Sequence, residues 1–192
     1  KPESGEMQIF DKNKFIDSPS EAVNNKIGYI PKERRREGIV LFLSVSSNIT
    51  LANIKKIIKY FLINFNIEKK LSKEWIHKLN IKTPNISTLC LNLSGGNQQK
   101  VVLSKWMNAN SKIIILDHPT RGLDVGAKEE VYELIRSMSD SGLGIILTSD
   151  TLEETIGLSH NIIIMKDGEI KKIFKSDAGE KPNQVELIKY MV

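Results

Sequence analysis

The residues best suited to chemistry lie in one short segment, in which Ser94 is followed by Gly95 and Gly96 at the predicted start of a helix. The segment reads Leu-Ser-Gly-Gly-Asn-Gln-Gln-Lys over residues 93–100. Because the first N–H groups of a helix have no partner within it and the helix dipole is positive at that end, this turn favours an anion. Glycines allow a phosphate to approach the backbone. For a lone Ser-Gly-Gly, however, an ordinary serine cap beside flexible glycines is the better interpretation.

A carboxylate follows further along the chain, where Asp117 comes directly after the apolar run 113–116. An unbroken apolar run predicts a strand buried on both faces of a parallel sheet. Ligands of α/β proteins bind at the carboxyl ends of such strands, and a carboxylate there can hold the magnesium ion of a nucleotide. His118 comes next, and Pro-Thr-Arg-Gly-Leu-Asp fills residues 119–124. Two segments directed at phosphate in one chain favour a nucleotide site over a simple helix cap.

The elements that position these residues alternate in the second half of the chain. Strand, helix, strand and helix in this order predict right-handed crossover units and an α/β sheet. Asp-Gly between two apolar runs predicts an antiparallel hairpin. The expected elements are buried strands at 113–116 and 144–148, helices at 125–138 and 152–158, a hairpin of 162–165 with 169–174, and a last helix around 184–191.

The first half predicts shorter elements and an all-helical insert. Ser18 and Glu21 resemble a capping box that opens a short helix through Asn25. Apolar residues recur at helical spacing through the middle of the chain, which predicts the helices of the insert. The expected elements are strands at 6–12 and 27–30, a charged turn at 31–38, and helices at 49–65 and 68–79.

Composition excludes several classes of protein. The 192 residues are 40% hydrophobic and 27% charged, which is typical of one globular domain and excludes a disordered or fibrous chain. Cys90 is the only cysteine in the sequence, so a disulfide framework and a cysteine-rich zinc site are excluded. The longest apolar runs fall far short of the roughly 18–20 residues that span a bilayer. We expect a soluble, intracellular protein, and the net charge of +5 is too small to identify a partner.

Taken together, residues 93–100 and the segment Ile-Leu-Asp-His-Pro-Thr-Arg-Gly-Leu-Asp-Val-Gly-Ala-Lys at 115–128 resemble the ATPase subunits of ABC transporters. More narrowly, they resemble the second nucleotide-binding half of the fused ATPases of ribose-, galactose- and xylose-type importers. The likeness extends over residues 5–174. It implies an α/β fold of the ABC-type P-loop NTPase class, truncated at the N-terminus, with a helical subdomain and a C-terminal antiparallel hairpin. The implied parts of this partial ATPase domain (1–192) are the helical subdomain with the signature loop and helix at 46–110 and the Walker B half at 111–192.

The resemblance assigns roles to individual residues. It implies that the signature loop contacts ATP held by the opposite nucleotide domain, that Asp117 holds Mg²⁺ through water, and that Asp124 meets the partner domain. The Q-loop region would face the membrane subunit. Next to it, the basic cluster 34–36 is either a surface for transporter coupling or a solvated turn. The signature residues are Ser94, Gly95, Gly96 and Gln98, and the Q-loop region holds Lys32 and Glu33.

The sequence departs from the family pattern at three points. The phosphate loop G-x-x-x-x-G-K-[ST] occurs nowhere in the 192 residues, so we expect the chain to begin downstream of it. His118 occupies the position of the glutamate that orients the attacking water, and Ser149 occupies that of the switch histidine. An imidazole can accept a proton near neutral pH, but beside Asp117 it can also be protonated and unable to act as a base. A working base and a weakened site are both left open.

The resemblance predicts an ATP-binding and ATP-hydrolysing component of a monosaccharide importer, with ATP and Mg²⁺ as cofactors, and we expect the given chain to be inactive on its own. Its expected partners are a second nucleotide-binding half, membrane permease subunits and, indirectly, a periplasmic-type sugar-binding protein, at the cytoplasmic face of a bacterial plasma membrane. The alternative is a catalytically degenerate half that dimerises without hydrolysing ATP. A soluble ABC-type protein acting on nucleic acid is disfavoured, because aromatic residues are only 6% and the insert is short.

Overall fold

A computed structural model describes residues 4–175 and 181–191. The chain forms two compact units, Lys1–Ile146 and Leu147–Val192, and each is described by itself. The expected boundary between a helical subdomain ending at residue 110 and a Walker B half beginning at 111 is not the boundary between these units and stays a prediction. Among the described helices, none combines the length and apolarity that crossing a bilayer requires.

The first unit alternates short strands with helices, and its sequence begins with a small hairpin. Its elements are β1 (Gln8–Ile9), β2 (Lys12–Asn13), α1 (Pro19–Asn24), β3 (Ile27–Ile30), a π-helical turn (Arg34–Gly38), α2 (Val45–Thr50), a 3-10 helix (Leu51–Lys56), β4 (Ile58–Lys59), β5 (Leu62–Ile63), α3 (Phe65–Lys78), a 3-10 turn (Cys90–Asn92), α4 (Gly95–Asn108), β6 (Ile113–Asp117), α5 (Val125–Asp140) and the start of β7 (Gly144–Thr148).

The central sheet has the order β3–β6–β7 among the described strands. β3 runs parallel to β6, with Ile27 opposite Ile113 and Ile30 opposite Leu116. The predicted burial on both faces is confirmed for only one face of β6, where Ile114 and Leu116 are fully buried, while Ile113 and Ile115 on the other face are half-buried. The expected burial of β7 is wrong. This strand lies at the edge of the described sheet, and Ile146 is 56% exposed.

The expected helix over 49–65 is wrong, and the insert is therefore not all-helical. The chain leaves the helical conformation at Asn53 (φ −139°, ψ 50°), and β4 and β5 then form an antiparallel hairpin. Tyr60 and Phe61 make its turn with left-handed φ values of 51° and 66°. The isoleucines of this segment are β-branched and favour extended backbone, which competes with their helical spacing. The helix predicted at 68–79 is confirmed as α3.

One further expectation in the first unit needs correction. The strand predicted at 6–12 is a hairpin of two short strands, because Phe10 and Asp11 adopt left-handed φ values of 48° and 59° and reverse the chain. The charged turn at 31–38 contains one turn of π-helix over Arg34–Gly38. The helix at α1 begins as predicted, with the Ser18 hydroxyl accepting a hydrogen bond from the Glu21 N–H.

The second unit contains the predicted hairpin. Its elements are the end of β7, α6 (Leu152–Leu158), β8 (Asn161–Lys166), β9 (Glu169–Lys175) and α7 (Gln184–Ile188). Asp167 and Gly168 both adopt positive φ, as the tight turn between β8 and β9 requires. Ile162, Ile164 and Leu187 form the buried core of this unit. The last helix ends at Ile188, earlier than predicted.

Candidate functional site

The segment Ser94–Gly96 lies at the N-terminus of α4, as predicted. Ser94 has extended backbone angles and its Oγ accepts hydrogen bonds from the Asn97 backbone N–H (3.4 Å) and from Asn97 Nδ2 (2.9 Å). The Asn97 Oδ1 in turn accepts from the Lys82 N–H at 2.7 Å. These bonds fix the loop while the first N–H groups of α4 point out of the helix end, which is the arrangement that receives an anion.

Gln98 lies beneath this loop. Its side chain is fully buried, and Nε2 donates to the carbonyl oxygens of Cys90 (3.0 Å) and Leu93 (3.2 Å). Both bonds tie α4 to the segment that leads into it. The structure therefore gives Gln98 a positioning role within the fold, and its predicted contact with nucleotide stays a prediction.

Both glycines of the loop are in close contact with other segments. A Cβ atom on Gly95 would lie 2.7 Å from Nη2 of Arg34 and 3.3 Å from Cδ2 of Leu123. A Cβ atom on Gly96 would lie 2.9 Å from Cβ of Ala127 in α5. The absence of side chains at these positions therefore allows the start of α4 to pack against the basic turn and against the start of α5.

Arg34 connects the basic turn to the loop after β6. Its Nη1 donates to the carbonyl oxygen of Arg121 at 2.8 Å, and Arg121 Nη1 donates to Glu33 Oε1 at 2.8 Å. Burial lowers the pKa of Arg34 below its ordinary value, but a guanidinium keeps its charge at physiological pH. A positive charge thus lies beside Gly95. Residue spacing along the chain provides no signal for this contact.

The basic cluster is not a solvated turn along its whole length. Arg35 Nε donates to Gln98 Oε1 at 3.3 Å, so two of the three arginines face the signature helix. Only Arg36 has neither of these contacts. The predicted Q-loop residue Glu33 is held by Arg121, and Lys32 lies half-buried between β3 and the π-helical turn. Their contact with a membrane subunit stays a prediction.

Asp117 and His118 lie together at the carboxyl end of β6. The Asp117 Oδ1 is 2.5 Å from His118 Nδ1, and Oδ2 accepts a hydrogen bond from the Tyr29 hydroxyl at 3.1 Å. Burial and this bond to the carboxylate raise the pKa of Tyr29. His118 has a left-handed φ of 50°, so the chain turns sharply as it leaves the strand. The imidazole is thus held by the carboxylate before it.

The residues around Asp117 fit a magnesium site to which the protein contributes a single carboxylate. No group of three or more His, Cys, Asp or Glu side chains in the described part of the chain could hold a metal by itself. Mg²⁺ in nucleotide sites keeps several waters and takes one or two carboxylates together with phosphate oxygens. Each carboxylate oxygen has two lone pairs, so Asp117 can accept a bond from a metal-bound water beside its present partners. Asp117 therefore fits as a single carboxylate.

The loop from His118 to Asp124 brings the helix start of α5 next to the signature loop. The Arg121 N–H donates to the His118 carbonyl and the Leu123 N–H to the Thr120 carbonyl, both at 3.1 Å. The Asp124 Oδ1 accepts from the Ala127 N–H at 2.8 Å and so caps α5. Because Leu123 also lies against Gly95, the two predicted partner-facing loops are neighbours.

Ser149 belongs to the second unit. Its hydroxyl donates to the Glu154 carboxylate and accepts from the Thr151 N–H at 3.1 Å. These contacts form the turn that leads into α6. The predicted role of Ser149 at the switch position stays a prediction.

The sequence has clear relatives among known proteins. A family model described as ABC transporter matches residues 1–121. The ribose import ATP-binding protein RbsA of Clostridium tetani is 40% identical over 193 residues, which cover 100% of this chain and 38% of that protein. The xylose import ATP-binding protein XylG of Thermoanaerobacter pseudethanolicus is 40% identical over 177 residues, 92% of this chain and 35% of that protein. The chain thus spans little more than a third of the length of these relatives.

Solved structures show the same fold. A dimeric ATP-binding cassette in a post-hydrolysis state bound to ADP and Pi superposes with a TM-score of 0.73 at 23% identity, covering 91% of this chain and 75% of that one. A nucleotide-free cassette from an ABC transporter superposes with a TM-score of 0.75 at 16% identity, covering 98% of this chain and 73% of that one. The α/β fold of an ATP-binding cassette, expected from the sequence, is therefore confirmed.

Proposed function

This chain belongs to the ABC transporter family, and we propose that it serves as an ATP-binding component of a monosaccharide importer. In this proposal its signature loop completes a nucleotide site on a second nucleotide-binding half. The ribose and xylose relatives support sugar as the substrate class, and the dimeric cassette with ADP and Pi supports ATP as the nucleotide and pairing as the working state.

The proposal rests on one observation, which is that three features of the first unit are adjacent to one another. The start of α4, the Arg34 guanidinium and the loop ending at Asp124 lie side by side around Gly95. Backbone N–H groups and a guanidinium are the donors that stabilise charge on a transferred phosphoryl group, and they act without accepting a proton. This cluster is therefore suited to a γ-phosphate presented by another polypeptide half.

The residues that would act on the chain's own nucleotide are altered. Asp117 is retained, and it would hold Mg²⁺ through water, where the ion neutralises charge on the phosphates. His118 takes the place of the water-orienting glutamate, and its Nδ1 is engaged by Asp117. Ser149 takes the place of the switch histidine, and a hydroxyl cannot carry an imidazolium's charge. We infer a composite site that is slow or inert, in an asymmetric pair whose other site hydrolyses ATP.

Coupling to transport follows from the pairing. ATP bound between the two halves would hold them together, and hydrolysis would release them, so that membrane permease subunits alternate between two access states. The chain would then lie at the cytoplasmic face of a bacterial plasma membrane. The sugar would be recognised by the permease and by a separate binding protein. A half that dimerises without hydrolysing ATP is the second candidate, favoured by the altered positions 118 and 149.

The test is the Ser94→Arg variant in the full-length protein that contains both nucleotide-binding halves. A bulky cation in the signature loop would block the phosphate of the opposite half, so ATP turnover should fall at least about tenfold. The matched control is Ser20→Arg, which places the same side chain on the exposed surface of α1 and should leave turnover unchanged. Unchanged turnover in Ser94→Arg would refute the proposal.

A further inference from the structure

The β4–β5 hairpin exposes a group of apolar side chains that the proposed nucleotide site does not use. We call Tyr60, Phe61 and Leu62 the aromatic tip. Tyr60 is 84% exposed, Phe61 100% and Leu62 73%, and the neighbouring Phe65 is also largely exposed. Contiguous exposed apolar side chains on a folded protein mark a surface that contacts another protein or a membrane.

The turn itself is unusual for its residue types. Left-handed φ values at both turn positions favour Asn and Gly, because a side chain larger than that is strained there. Tyr60 and Phe61 adopt these values nonetheless, and the fold points both rings away from its core. Neither ring is buried, so packing in the core does not explain these two aromatic residues, which indicates that they act outside the molecule.

Lysines are frequent in the sequence around the aromatic tip. Residues 51–73 contain six lysines (55, 56, 59, 69, 70 and 73) and one acidic residue, Glu68. Glu68 is buried and accepts a hydrogen bond from the Ser47 hydroxyl at 3.2 Å, so it offers little negative charge to the outside. The Lys59 Nζ lies 5.3 Å from the centre of the Tyr60 ring. Positive charge and exposed aromatic rings thus occupy the same end of the hairpin.

The base of the hairpin is anchored. The Lys56 Nζ donates to the Asn108 carbonyl at 2.9 Å and to Asn110 Oδ1 at 3.3 Å, at the C-terminal end of α4. The Asn64 N–H donates to the Ile57 carbonyl at 2.7 Å and closes the hairpin at its base. The aromatic tip is therefore presented from a fixed base.

We propose that the aromatic tip inserts into the headgroup region of an anionic lipid bilayer. Aromatic rings partition to that region, while lysines beside them are attracted by the negative surface of the leaflet. The tip is convex and its apolar groups are few, which suits a fluid interface better than the large, flat patch of a protein contact. This binding needs no nucleotide and goes beyond the proposed ATPase role.

The test is co-sedimentation of the full chain with vesicles of phosphatidylcholine containing roughly one third phosphatidylglycerol, compared with phosphatidylcholine alone. The chain should sediment with the anionic vesicles only. Phe61→Ser should weaken this binding about tenfold, because an apolar ring is lost from the interface. A Lys55→Gln/Lys59→Gln double variant should weaken it roughly 20-fold. The control Phe42→Ser removes a ring that is 75% exposed elsewhere in the unit and should have no effect.

A second measurement reports insertion directly. In a Phe61→Trp variant, the new indole should shift its emission to shorter wavelength when anionic vesicles are added, and a Phe42→Trp variant should not. Absence of vesicle binding by the unaltered chain, undiminished binding by Phe61→Ser, or an unshifted Phe61→Trp emission would each overturn the proposal. So would self-association that Phe61→Ser abolishes without vesicles, because a second copy would then cover the tip.

Discussion

Lys105 is a buried cation on the same helix that begins at the signature loop. The residue is 9% exposed, and its Nζ donates to the Gly38 carbonyl at 2.6 Å, at the end of the π-helical turn. The Nζ also lies 5.1 Å from the centre of the Trp106 ring. Burial lowers its pKa to about 8. The bond joins α4 to the turn that carries Arg34, so its charge state bears on the stability of the site.

The stability of the protein should therefore depend on pH through Lys105. The folded state binds the proton of Lys105 less tightly than the unfolded chain does, so keeping this lysine charged destabilises the fold below about pH 8. This destabilisation decreases as the pH rises toward 10.5, the ordinary pKa of a lysine. The free energy of unfolding of the native chain, relative to Lys105→Met, should rise by about 2 kcal/mol between about pH 7 and about pH 10. Urea denaturation of both proteins measures this difference.

Lys112→Met provides the control, because it removes an exposed lysine from the same unit. The difference in unfolding free energy between Lys112→Met and the native chain should not change over the same pH range. If the difference in unfolding free energy for Lys105→Met were also independent of pH, the ammonium group of Lys105 would be well solvated in the folded protein and the prediction would be wrong.

At the scale of single residues, the sequence predicts which side chains cap helices and end strands, because these roles depend on neighbours a few positions away. Ser94 and Asp117 lie where their sequence neighbours indicate. The placement of Arg34 against Gly95 could not be predicted in this way, since it joins segments about 60 positions apart through a turn whose π-helical geometry the sequence does not signal.

The contact between α4 and α5 holds the signature loop to the loop after β6. Gly96 meets Ala127, and one turn further along Lys100 Nζ lies 2.7 Å from Glu130 Oε2. Lys100 is buried, and its hydrogen bond lowers the pKa of Glu130. Lys100 also donates to the Asn80 carbonyl at 3.0 Å, so its charge is well satisfied. The close approach of the two helices is thus set at Gly96.

Gly96→Ala should destabilise the protein by about 1–3 kcal/mol, because the added methyl group would lie 2.9 Å from Cβ of Ala127 and force the helices apart. Gly126→Ala is the matched control, in the first turn of α5, where the nearest atom to the new Cβ is Asp124 Oδ1 at an ordinary 3.6 Å. That variant should be stabilising by roughly 0.5–1 kcal/mol, the helix preference of alanine over glycine. Thermal or urea unfolding distinguishes them, and equal effects would exclude a close contact at Gly96.

At the scale of elements, hydrophobic periodicity predicts most of the strands and helices that carry the site, because one face of each is buried. β3, β6, α4 and α5 all occur where their patterns place them. The β4–β5 hairpin could not be predicted from the same signal. Its isoleucines recur at helical spacing, but the strongly exposed Tyr60 and Phe61 take no part in burial, so apolar periodicity there does not report a buried helix face.

At the scale of the molecule, the proposed function separates two roles that the resemblance assigns to one domain. The features that we propose to face a partner's nucleotide are contiguous: the signature loop, Arg34 and the loop ending at Asp124. The positions that the resemblance assigns to the chain's own nucleotide depart from the family pattern at His118 and Ser149. Such a division is expected of a half that needs to complete one site and no longer needs to hydrolyse ATP in the other.

His118→Glu in the full-length protein with both halves tests this division. A carboxylate can orient the attacking water and accept its proton, which an imidazole engaged by Asp117 does less well. If one of two composite sites is slow, restoring its base should raise total ATP turnover by about twofold, the limit set by two equal sites. His160→Glu makes the same substitution at an exposed histidine and should leave turnover unchanged.

Turnover that falls in His118→Glu would identify His118 as a working base and contradict the asymmetric pair. If turnover changes only when Ser149→His is combined with His118→Glu, the residue at the switch position limits ATP hydrolysis instead.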